Sequence, residues 1–260
     1  MKEHKAHILS NKHLGGRYYQ LDLKFEQAFD ACQGGEFLMI STGYEQGHVL
    51  RRPMAIFDQQ DLYHISVLYQ VVGQGTAWLS LQNKGHELSL LGALGNQFMP
   101  AQKDEKIAIV AGGIGTAPFL LWLKRQQPEF LRNIKVYFGF RNHTEAKPVQ
   151  TLFSRLGVEM VIWTDEKNEH YSQGLIVNAF FDDFKQGYAP KKIYTCGPNI
   201  MMKAIFDKVK DQGVEVYASA EAKMACGMGV CLSCVTETSA LPIGDRKLIC
   251  KDGPVLKLQA

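Results

Sequence analysis

The stretch IAIVAGGIGTAP (residues 107–118) joins an apolar run directly to a glycine-rich turn. The apolar run is typical of a buried parallel strand, and FLLWLKRQQ, which follows the turn, is typical of an amphipathic helix. A strand, a glycine turn and a helix in this order bring backbone N–H groups to a phosphate. Because Pro118 takes the place of the third glycine of a G-x-G-x-x-G motif, the turn alone is also compatible with an ordinary connection.

The chain after this turn alternates between strand-like and helix-like segments. The strand-like segments are IKVYFGF (134–140), VEMVIWT (158–164), KKIYTCGP (191–198) and VEVYAS (214–219), and the helix-like ones are PVQTLFSRL (148–156), GLIVNAFFDDF (174–184) and NIMMKAIFDKVKDQG (199–213). This alternation predicts an α/β domain with a parallel sheet.

Open α/β sheets bind ligands beyond the carboxyl ends of their strands. The residues expected to hold a nicotinamide nucleotide at that edge are Gly112, Gly113, Gly115, Thr116, Cys196 and Gly197. We expect the phosphates beside the glycines, where larger side chains would block a close approach. Cys196 is compatible with a buried apolar position or with one that faces the nicotinamide.

The first hundred residues have a different pattern. Short strand-like segments with glycine and polar residues between them are RYYQLDLKF, EFLMIST, RRPMAIF, LYHISVLYQV and HELSLLG. This spacing predicts an antiparallel β-barrel. In VVGQGTAWLSL a loop turns into a short helix, for which Thr76 is the expected N-cap. Gly75, Thr76 and Arg52 are candidates for binding a diphosphate, although a solvated basic pair and an ordinary capped turn are alternatives.

The overall composition is that of a globular protein, with 260 residues, 46% hydrophobic residues and a net charge of +3. The absence of a basic run argues against nucleic acid and membrane partners. The polar start MKEHKAHILSNKH lacks the apolar core of a secretory signal, and no apolar stretch approaches the length of about 18 residues that a membrane span needs. We therefore expect a cytoplasmic protein, in which clustered cysteines bind metal more often than they form disulfides.

Four cysteines cluster near the end of the chain, in MACGMGVCLSC (224–234) and LICKDGPV. Cys226, Cys231, Cys234 and Cys250 have the spacing C-x4-C-x2-C-x15-C, and its first part is the plant-type pattern of [2Fe–2S] ligation. The glycines at 227 and 229 let the backbone wrap closely and point N–H groups at sulfur. A zinc site and plain buried thiols are the alternatives.

The chain as a whole resembles the ferredoxin–NADP reductase superfamily. Within it, the chain is most similar to the electron-transfer subunits of NAD-linked dihydroorotate dehydrogenases. The segments that carry the resemblance are Arg52 with Pro53, Gly75 with Thr76, LGNQF (94–98), GGIGTAP (112–118), TCGP (195–198), MACGMGVCLSC and CKDGPV (250–255).

This resemblance implies a subunit that holds FAD and a [2Fe–2S] cluster. Such a subunit passes electrons between NAD(H) and the FMN of a separate dihydroorotate dehydrogenase catalytic subunit, in a heterotetramer of two of each, in pyrimidine biosynthesis. It needs no catalytic acid or base of its own. The family's flavin site falls here on Arg52, Pro53, Met54, Ala55, Leu68, Tyr69, Gln70, Gly75 and Thr76.

Two positions and one segment depart from the family's pattern. Ala55 stands where serine is common, and Gln70 stands where arginine is common. The segment TDEKNEH (164–170) lacks the aspartate–glycine–serine run that often follows this strand. The choice between NAD and NADP stays open, because Arg141 is compatible with a 2′-phosphate contact or with a plain surface position.

The resemblance implies three domains: a FAD-binding β-barrel at 1–101, an NAD-binding α/β domain at 102–218 and a [2Fe–2S] module at 219–260. Two other functions are compatible with the residues. One is a flavin and iron–sulfur subunit of an NAD(P)H–ferredoxin oxidoreductase or a cytoplasmic hydrogenase. The other is a zinc-stabilised scaffold subunit without redox chemistry.

Overall fold

The first part of the chain forms a closed antiparallel barrel. The computed structural model describes residues 2–43, 47, 49–236 and 241–259. Six strands form the barrel, in the neighbour order β1-β2-β5-β4-β3-β6. They are β1 (Glu3–Gly15), β2 (Tyr18–Phe25), β3 (Phe37–Ile40), β4 (Arg52–Asp61), β5 (His64–Gln70) and β6 (Glu87–Leu94).

The first strand, β1, is the one barrel strand that the sequence pattern did not reveal. Ala6 and Ile8 are its only fully buried residues, so the alternation of apolar and polar residues is too short to be recognised. Its backbone pairs with both β2 and β6. These pairings close the barrel and leave no free sheet edge.

The short helix α1 (Gln74–Ser80) follows β5, as predicted, but its N-cap is Gly73. The expectation that Thr76 is the cap is wrong, because this residue lies inside the first turn. Its hydroxyl still holds the helix start, since Oγ1 accepts hydrogen bonds from the amides of Val72 and Gly73 at 3.0 and 3.2 Å. The threonine therefore satisfies N–H groups of the turn from within the helix.

The second part of the chain forms a seven-stranded sheet in the order β10-β9-β8-β7-β11-β12-β13. All neighbouring strands are parallel except β12 and β13, which are antiparallel. The strands are β7 (Ile107–Gly112), β8 (Ile134–Phe140), β9 (Glu159–Thr164), β10 (Ser172–Gln173), β11 (Lys192–Cys196), β12 (Glu215–Ser219) and β13 (Val255–Lys257). The predicted parallel sheet is thus present, with β10 and β13 as additions at its two edges.

Six helices connect these strands: α2 (Phe119–Lys124), α3 (Pro128–Leu131), α4 (His143–Phe153), α5 (Ile176–Lys185), α6 (Asn199–Val209) and α7 (Ile249–Asp252). Helix α4 starts before its predicted range, because the Asn142 side chain accepts a hydrogen bond from the Glu145 amide at 3.2 Å. Within the described residues, each helix is too short or too polar to cross a membrane.

The barrel and the sheet pack directly against each other. Leu121 of α2 belongs to the apolar core of the barrel, and Lys124 pairs with Asp58 of β4 at 2.6 Å. Gly34 has no room for a side chain, since a Cβ there would lie 2.2 Å from the Cβ of Trp122. This tight contact holds the barrel and the sheet close together.

The C-terminal segment returns to both parts through β13 and Asn96. The Asn96 side chain donates to the Val255 carbonyl at 2.8 Å and accepts from the Val255 amide at 2.8 Å. Its backbone amide donates to the Gly253 carbonyl at 2.7 Å. The asparagine of the LGNQF motif therefore holds the cysteine-bearing segment against the end of the barrel.

Candidate cofactor sites

A cavity of about 750 Å³ lies at the carboxyl edge of the parallel sheet. We call it the nicotinamide cavity. Among its lining residues are Gly112, Gly113, Gly115, Arg141, Asp165 and Gly197. Four of the six residues predicted for a nicotinamide nucleotide are thus brought together where the strands end.

The packing of the fold restricts the glycines of the turn, and most strongly Gly115. A Cβ on Gly115 would lie 2.3 Å from the Cys196 carbonyl oxygen, and one on Gly112 would lie 3.1 Å from Pro198. Gly113 has a φ of 57°, which side chains disfavour. Thr116 is buried outside the lining, where its hydroxyl donates to the Gly113 carbonyl at 3.1 Å and holds the turn.

A second cavity, of about 410 Å³, lies between the barrel and the sheet. We call it the flavin cavity. Eight of the nine residues expected at a flavin line it: Arg52, Pro53, Met54, Ala55, Leu68, Tyr69, Gln70 and Thr76. The ninth, Gly75, lies under the Arg52 guanidinium, since a Cβ there would be 3.0 Å from Nε. The arginine thus lies across the start of α1, a suitable position for a diphosphate.

Cys196 lines the flavin cavity and not the nicotinamide cavity. It is 4% exposed, and burial raises the pKa of its thiol well above the usual range. Ser219, opposite Cys196 on β12, lines the same cavity. The thiol is therefore a buried, neutral part of the wall of the flavin cavity, and it does not face the nicotinamide cavity.

Gln70, Ile114 and Glu221 line both cavities and mark the point where they meet. Sequence reasoning missed Glu221. Its position could have indicated it, because it is a carboxylate among small residues just beyond the end of β12. Much of its side chain is accessible within the cavities, yet desolvation by their walls raises its pKa.

The four predicted ligand cysteines lie in one loop system and α7, linked by N–H···S hydrogen bonds. The Gly229 amide donates to Cys250 Sγ at 3.1 Å, and the Met228 and Cys231 amides donate to Cys226 Sγ at 3.4 and 3.5 Å. Gly229 has a φ of 80°, so a glycine is suited to this turn. Amides aimed at sulfur stabilise thiolates, which is the state that ligates metal.

The spread of the four sulfurs suits a cluster better than a single ion. Cys234 and Cys250 approach each other at 3.3 Å, but no three of the described cysteine sulfurs lie within 4.8 Å of one another. Tetrahedral zinc, with bonds of about 2.3 Å, would draw all four sulfurs to within about 4 Å. The donor set therefore fits two bridged irons.

The thiols differ in their surroundings. A hydrogen bond from Ser233 lowers the pKa of exposed Cys231 to about 6, whereas burial raises the pKa of Cys250 to about 12. Cys234 and Cys250 belong to the buried core between barrel and sheet. The site thus has one buried side and one side that faces solvent.

The cysteine loop borders the flavin cavity. Ala222 and Met224, which lie four and two residues before Cys226, line that cavity. A Cβ on Gly227 would lie 2.7 Å from Met39 of the barrel, so the loop packs closely on β3. The flavin cavity therefore meets the nicotinamide cavity on one side and borders the segment that leads into the cysteine loop on the other.

Comparison with known proteins agrees with this arrangement. The family model described as the iron–sulfur cluster binding domain of dihydroorotate dehydrogenase B matches residues 221–260. The model described as the oxidoreductase NAD-binding domain matches residues 109–207. These two regions contain the cysteine site and most of the wall of the nicotinamide cavity.

Among solved structures, the NADH-dependent reduced ferredoxin–NADP oxidoreductase superimposes with a TM-score of 0.83 at 22% identity, over 97% of this chain and 87% of that one. The cytochrome P450 reductase GcoB of Amycolatopsis superimposes with a TM-score of 0.69 at 19% identity, over 81% of this chain and 66% of that one. The predicted fold class, a barrel followed by an α/β domain and an iron–sulfur module, is confirmed.

Curated relatives are similar over almost the whole chain. The dihydroorotate dehydrogenase B (NAD(+)) electron transfer subunit of Clostridium acetobutylicum is 35% identical over 91% of this chain and 88% of its own length. The subunit of the same name from Enterococcus faecalis is 33% identical over 98% of this chain and 97% of its own length. The resemblance stated from the sequence is thereby confirmed, and this chain belongs to the family of dihydroorotate dehydrogenase B electron transfer subunits.

Proposed function

We propose that this chain passes electrons between NAD(H) and an FMN-containing dihydroorotate dehydrogenase subunit. The observation that carries the proposal is the spatial order of nicotinamide cavity, flavin cavity and cysteine site. The two cavities share lining residues, the flavin cavity borders the segment that leads into the cysteine loop, and the cysteine site opens to the surface at Cys231. This order is the path that electrons need to travel from a hydride carrier to a separate protein.

The three sites suit three redox groups. FAD is assigned to the flavin cavity and a [2Fe–2S] cluster to Cys226, Cys231, Cys234 and Cys250. When bound, a flavin exchanges a hydride with the nicotinamide and single electrons with an iron–sulfur centre, so it belongs between them.

The chain's own residues position these groups and exclude water. Arg52 supplies a fixed charge for the flavin diphosphate, and Pro53, Met54 and Leu68 supply apolar walls. Cys196 and Ala55 form a neutral wall of the same cavity. Gly112, Gly113 and Gly115 offer the nicotinamide nucleotide a side-chain-free surface for its phosphates. No side chain is required as a strong acid or base.

The partner and the setting are part of the same proposal. We infer a heterotetramer with two catalytic subunits, in the cytoplasm, acting in pyrimidine biosynthesis. The names of the relatives support the partner. The division into units at 1–101, 102–218 and 219–260 remains a proposal, which the two matched regions support without setting its boundaries.

The test begins with the chain purified without oxygen. We expect one FAD, iron and sulfide in equal amounts, and reduction of an artificial dye by NADH. Mixed with an FMN-containing dihydroorotate dehydrogenase subunit, it should reduce NAD when dihydroorotate is added. A fully loaded chain that forms no complex and shows no coupled activity would favour the ferredoxin or hydrogenase assembly, and zinc without sulfide would favour the scaffold.

Flavin binding has its own test, the Arg52→Ala variant. Loss of a charge-assisted contact with the diphosphate should weaken FAD binding by roughly tenfold or more. The measurement is the FAD content after gel filtration, with Arg51→Ala as the matched control because Arg51 pairs with Glu3 and lies outside the cavity lining. Unchanged FAD affinity in a folded Arg52→Ala protein would place the flavin elsewhere.

A further inference from the structure

The barrel contributes one buried hydroxyl to the nicotinamide cavity. Tyr18, the first residue of β2, lines that cavity together with residues of the sheet. The residue is 0% exposed. Its Oη atom is buried and, within the part of the chain that the structure describes, has no hydrogen-bond partner. Because a buried hydroxyl without a partner lowers stability and is rare in proteins, a ligand in the cavity is its natural partner.

The hydroxyl lies beside the glycine turn. A Cβ on Gly113 would lie 3.2 Å from Tyr18 Oη, and no other described atom outside the adjacent residues would be within 4 Å of it. A larger residue at position 113 would therefore cover the hydroxyl. The missing side chain of Gly113 leaves the space next to the hydroxyl open to a ligand.

Tyr18 also lies near the junction of the two cavities. It is paired with Gln70 across β2 and β5, so the two side chains point to the same face of the barrel wall. Gln70 lines both cavities and marks the point where a nicotinamide ring meets a flavin. The hydroxyl is thus placed between this junction and the glycine turn, where the phosphates are expected.

A neighbouring charge limits the chemistry of the partner. Desolvation and then the charge of Glu145 raise the pKa of Tyr18, against a smaller opposite effect of Arg17, so the hydroxyl stays protonated and can donate a hydrogen bond. Glu145 of α4 is itself buried and lines the same cavity. A carboxylate at this point repels a phosphate group but accepts hydrogen bonds from neutral hydroxyls.

We propose that the Tyr18 hydroxyl binds the nicotinamide-side ribose of the nucleotide, which makes Tyr18 a positioning residue supplied by the barrel. This ribose is the neutral, hydroxyl-bearing group between the diphosphate and the nicotinamide ring. The contact holds the nucleotide to the barrel as well as to the sheet, with its ring towards the flavin cavity. The inference rests on the proposed function, because it assumes that the cavity holds a nicotinamide nucleotide.

The experiment uses the cofactor-loaded chain and the variant Tyr18→Phe, which removes the hydroxyl alone. The probes are AMP, ADP, ADP-ribose and NAD, titrated by calorimetry, because they extend one group at a time from the adenosine half towards the nicotinamide. AMP and ADP should bind as they do to the wild type. ADP-ribose and NAD should bind about fivefold more weakly, the effect of one neutral hydrogen bond.

Two further measurements separate binding from structure. The Tm of Tyr18→Phe without nucleotide should equal or exceed that of the wild type, since the removed hydroxyl has no partner among the described residues. The KM for NADH with a dye acceptor should rise while kcat changes little, as expected for a contact that is equally strong in the ground and transition states.

Tyr19→Phe is the matched control. Tyr19 is the next residue of β2 and lies outside the lining of both cavities. The same chemical change at this position should leave the affinities for all four nucleotides unchanged.

The proposal is wrong if Tyr18→Phe binds all four nucleotides as the wild type does, or if Tyr19→Phe weakens their binding equally. Weaker binding that begins at ADP would assign the hydroxyl to the diphosphate, and weaker binding of NAD alone would assign it to the nicotinamide ring, so either result overturns the ribose contact. A lower Tm without nucleotide would show that the hydroxyl has a partner in the free chain, which also contradicts the proposal. A wild-type chain that binds none of the four and does not oxidise NADH overturns the proposed function itself.

Discussion

At the scale of single residues, the cysteine site is the clearest link between sequence and chemistry. The spacing of the four thiols predicted a wrapped loop, and the amides of Gly229, Met228 and Cys231 indeed point at two of the sulfurs. The Ser233 contact, which lowers the pKa of Cys231 to about 6, favours the thiolate at neutral pH. Exposed Cys231 is therefore the best residue with which to test ligation.

The Cys231→Ser variant should lose most of its iron and sulfide, because a serine hydroxyl is a poor substitute for a thiolate ligand. The measurement is the iron and sulfide content per chain, together with the visible absorbance. Cys32→Ser is the matched control, since Cys32 is a buried thiol of the barrel core. A full iron and sulfide content in Cys231→Ser would contradict the assignment.

Glu221, at the junction of the two cavities, lowers the stability of the folded chain when its carboxyl group is charged. Its pKa is raised by desolvation, so the folded chain holds a proton that the unfolded chain releases at a lower pH. Stability therefore falls as the pH rises from the unfolded pKa, about 4.3, through the folded one. A residue that lowers stability where two ligand cavities meet is typical of a functional position.

We predict that Glu221→Gln raises the Tm at pH 8, because the glutamine carries no charge that must be desolvated. The gain should shrink towards pH 5, where the wild-type carboxyl is closer to its protonated state. Thermal unfolding at both pH values measures the difference, with the exposed Glu169→Gln as a control. A Tm gain independent of pH would rule out this explanation.

At the scale of elements, the α/β half was predictable because its strands are mostly apolar runs that alternate along the chain with helix-like segments. β1 was not, since most of its residues are half-buried or exposed. β13 is three residues long and is defined by pairing with β12, which a local pattern does not contain. The cap was misplaced at Thr76 because the helix begins at Gln74, with Gly73 as its N-cap.

The glycine motif does not by itself show why Gly115 has to be small. The sequence suggested that Gly115 is small to admit a ligand phosphate, but the structure shows it against the backbone of Cys196. The same residue type thus satisfies a packing requirement that only the tertiary structure contains. A substitution at Gly115 should therefore change the stability of the fold as well as any binding of the cofactor.

Gly115→Ala should therefore destabilise the chain, since its Cβ would lie 2.3 Å from a carbonyl oxygen. We expect a Tm several degrees lower, as strain of about 1–3 kcal/mol implies. Gly73→Ala is the control, because a Cβ there has nothing within 4 Å and its cost is about 1 kcal/mol or less. An unchanged Tm in Gly115→Ala would mean that the turn moves away without cost.

At the scale of the whole molecule, the three sites lie along the seam between barrel and sheet. The sequence predicted their number and the order of the modules, but not their contact, because Asn96 and Met39 reach the cysteine segment from distant parts of the chain. In a chain with the nicotinamide site at one end and surface thiols at the other, electrons leave at the thiols. The surface around them is therefore where a partner has to dock.

The rim of the cysteine site is apolar and exposed. Val230, Leu232 and Met228 are 74%, 56% and 43% exposed, although apolar side chains of this size are usually buried. Shielding of the cluster does not require such exposure, whereas a partner interface does. Electron transfer also requires a short distance between the cluster and its acceptor. We therefore expect the FMN-containing subunit to cover these three residues.

Leu232→Asp should weaken this association while leaving the chain itself intact. Leu232 has a φ of 60°, a conformation that aspartate tolerates better than leucine, so the backbone has no reason to change. A charge buried in an apolar contact should reduce the affinity for the catalytic subunit by about tenfold or more. The measurements are binding by calorimetry and NAD reduction by dihydroorotate in the mixed complex. NADH-to-dye activity and iron content should remain those of the wild type.

Leu81→Asp, at an exposed leucine after α1, controls for a charge on a distant part of the surface. If Leu232→Asp assembles as tightly as the wild type, the docking surface lies away from the cysteine rim.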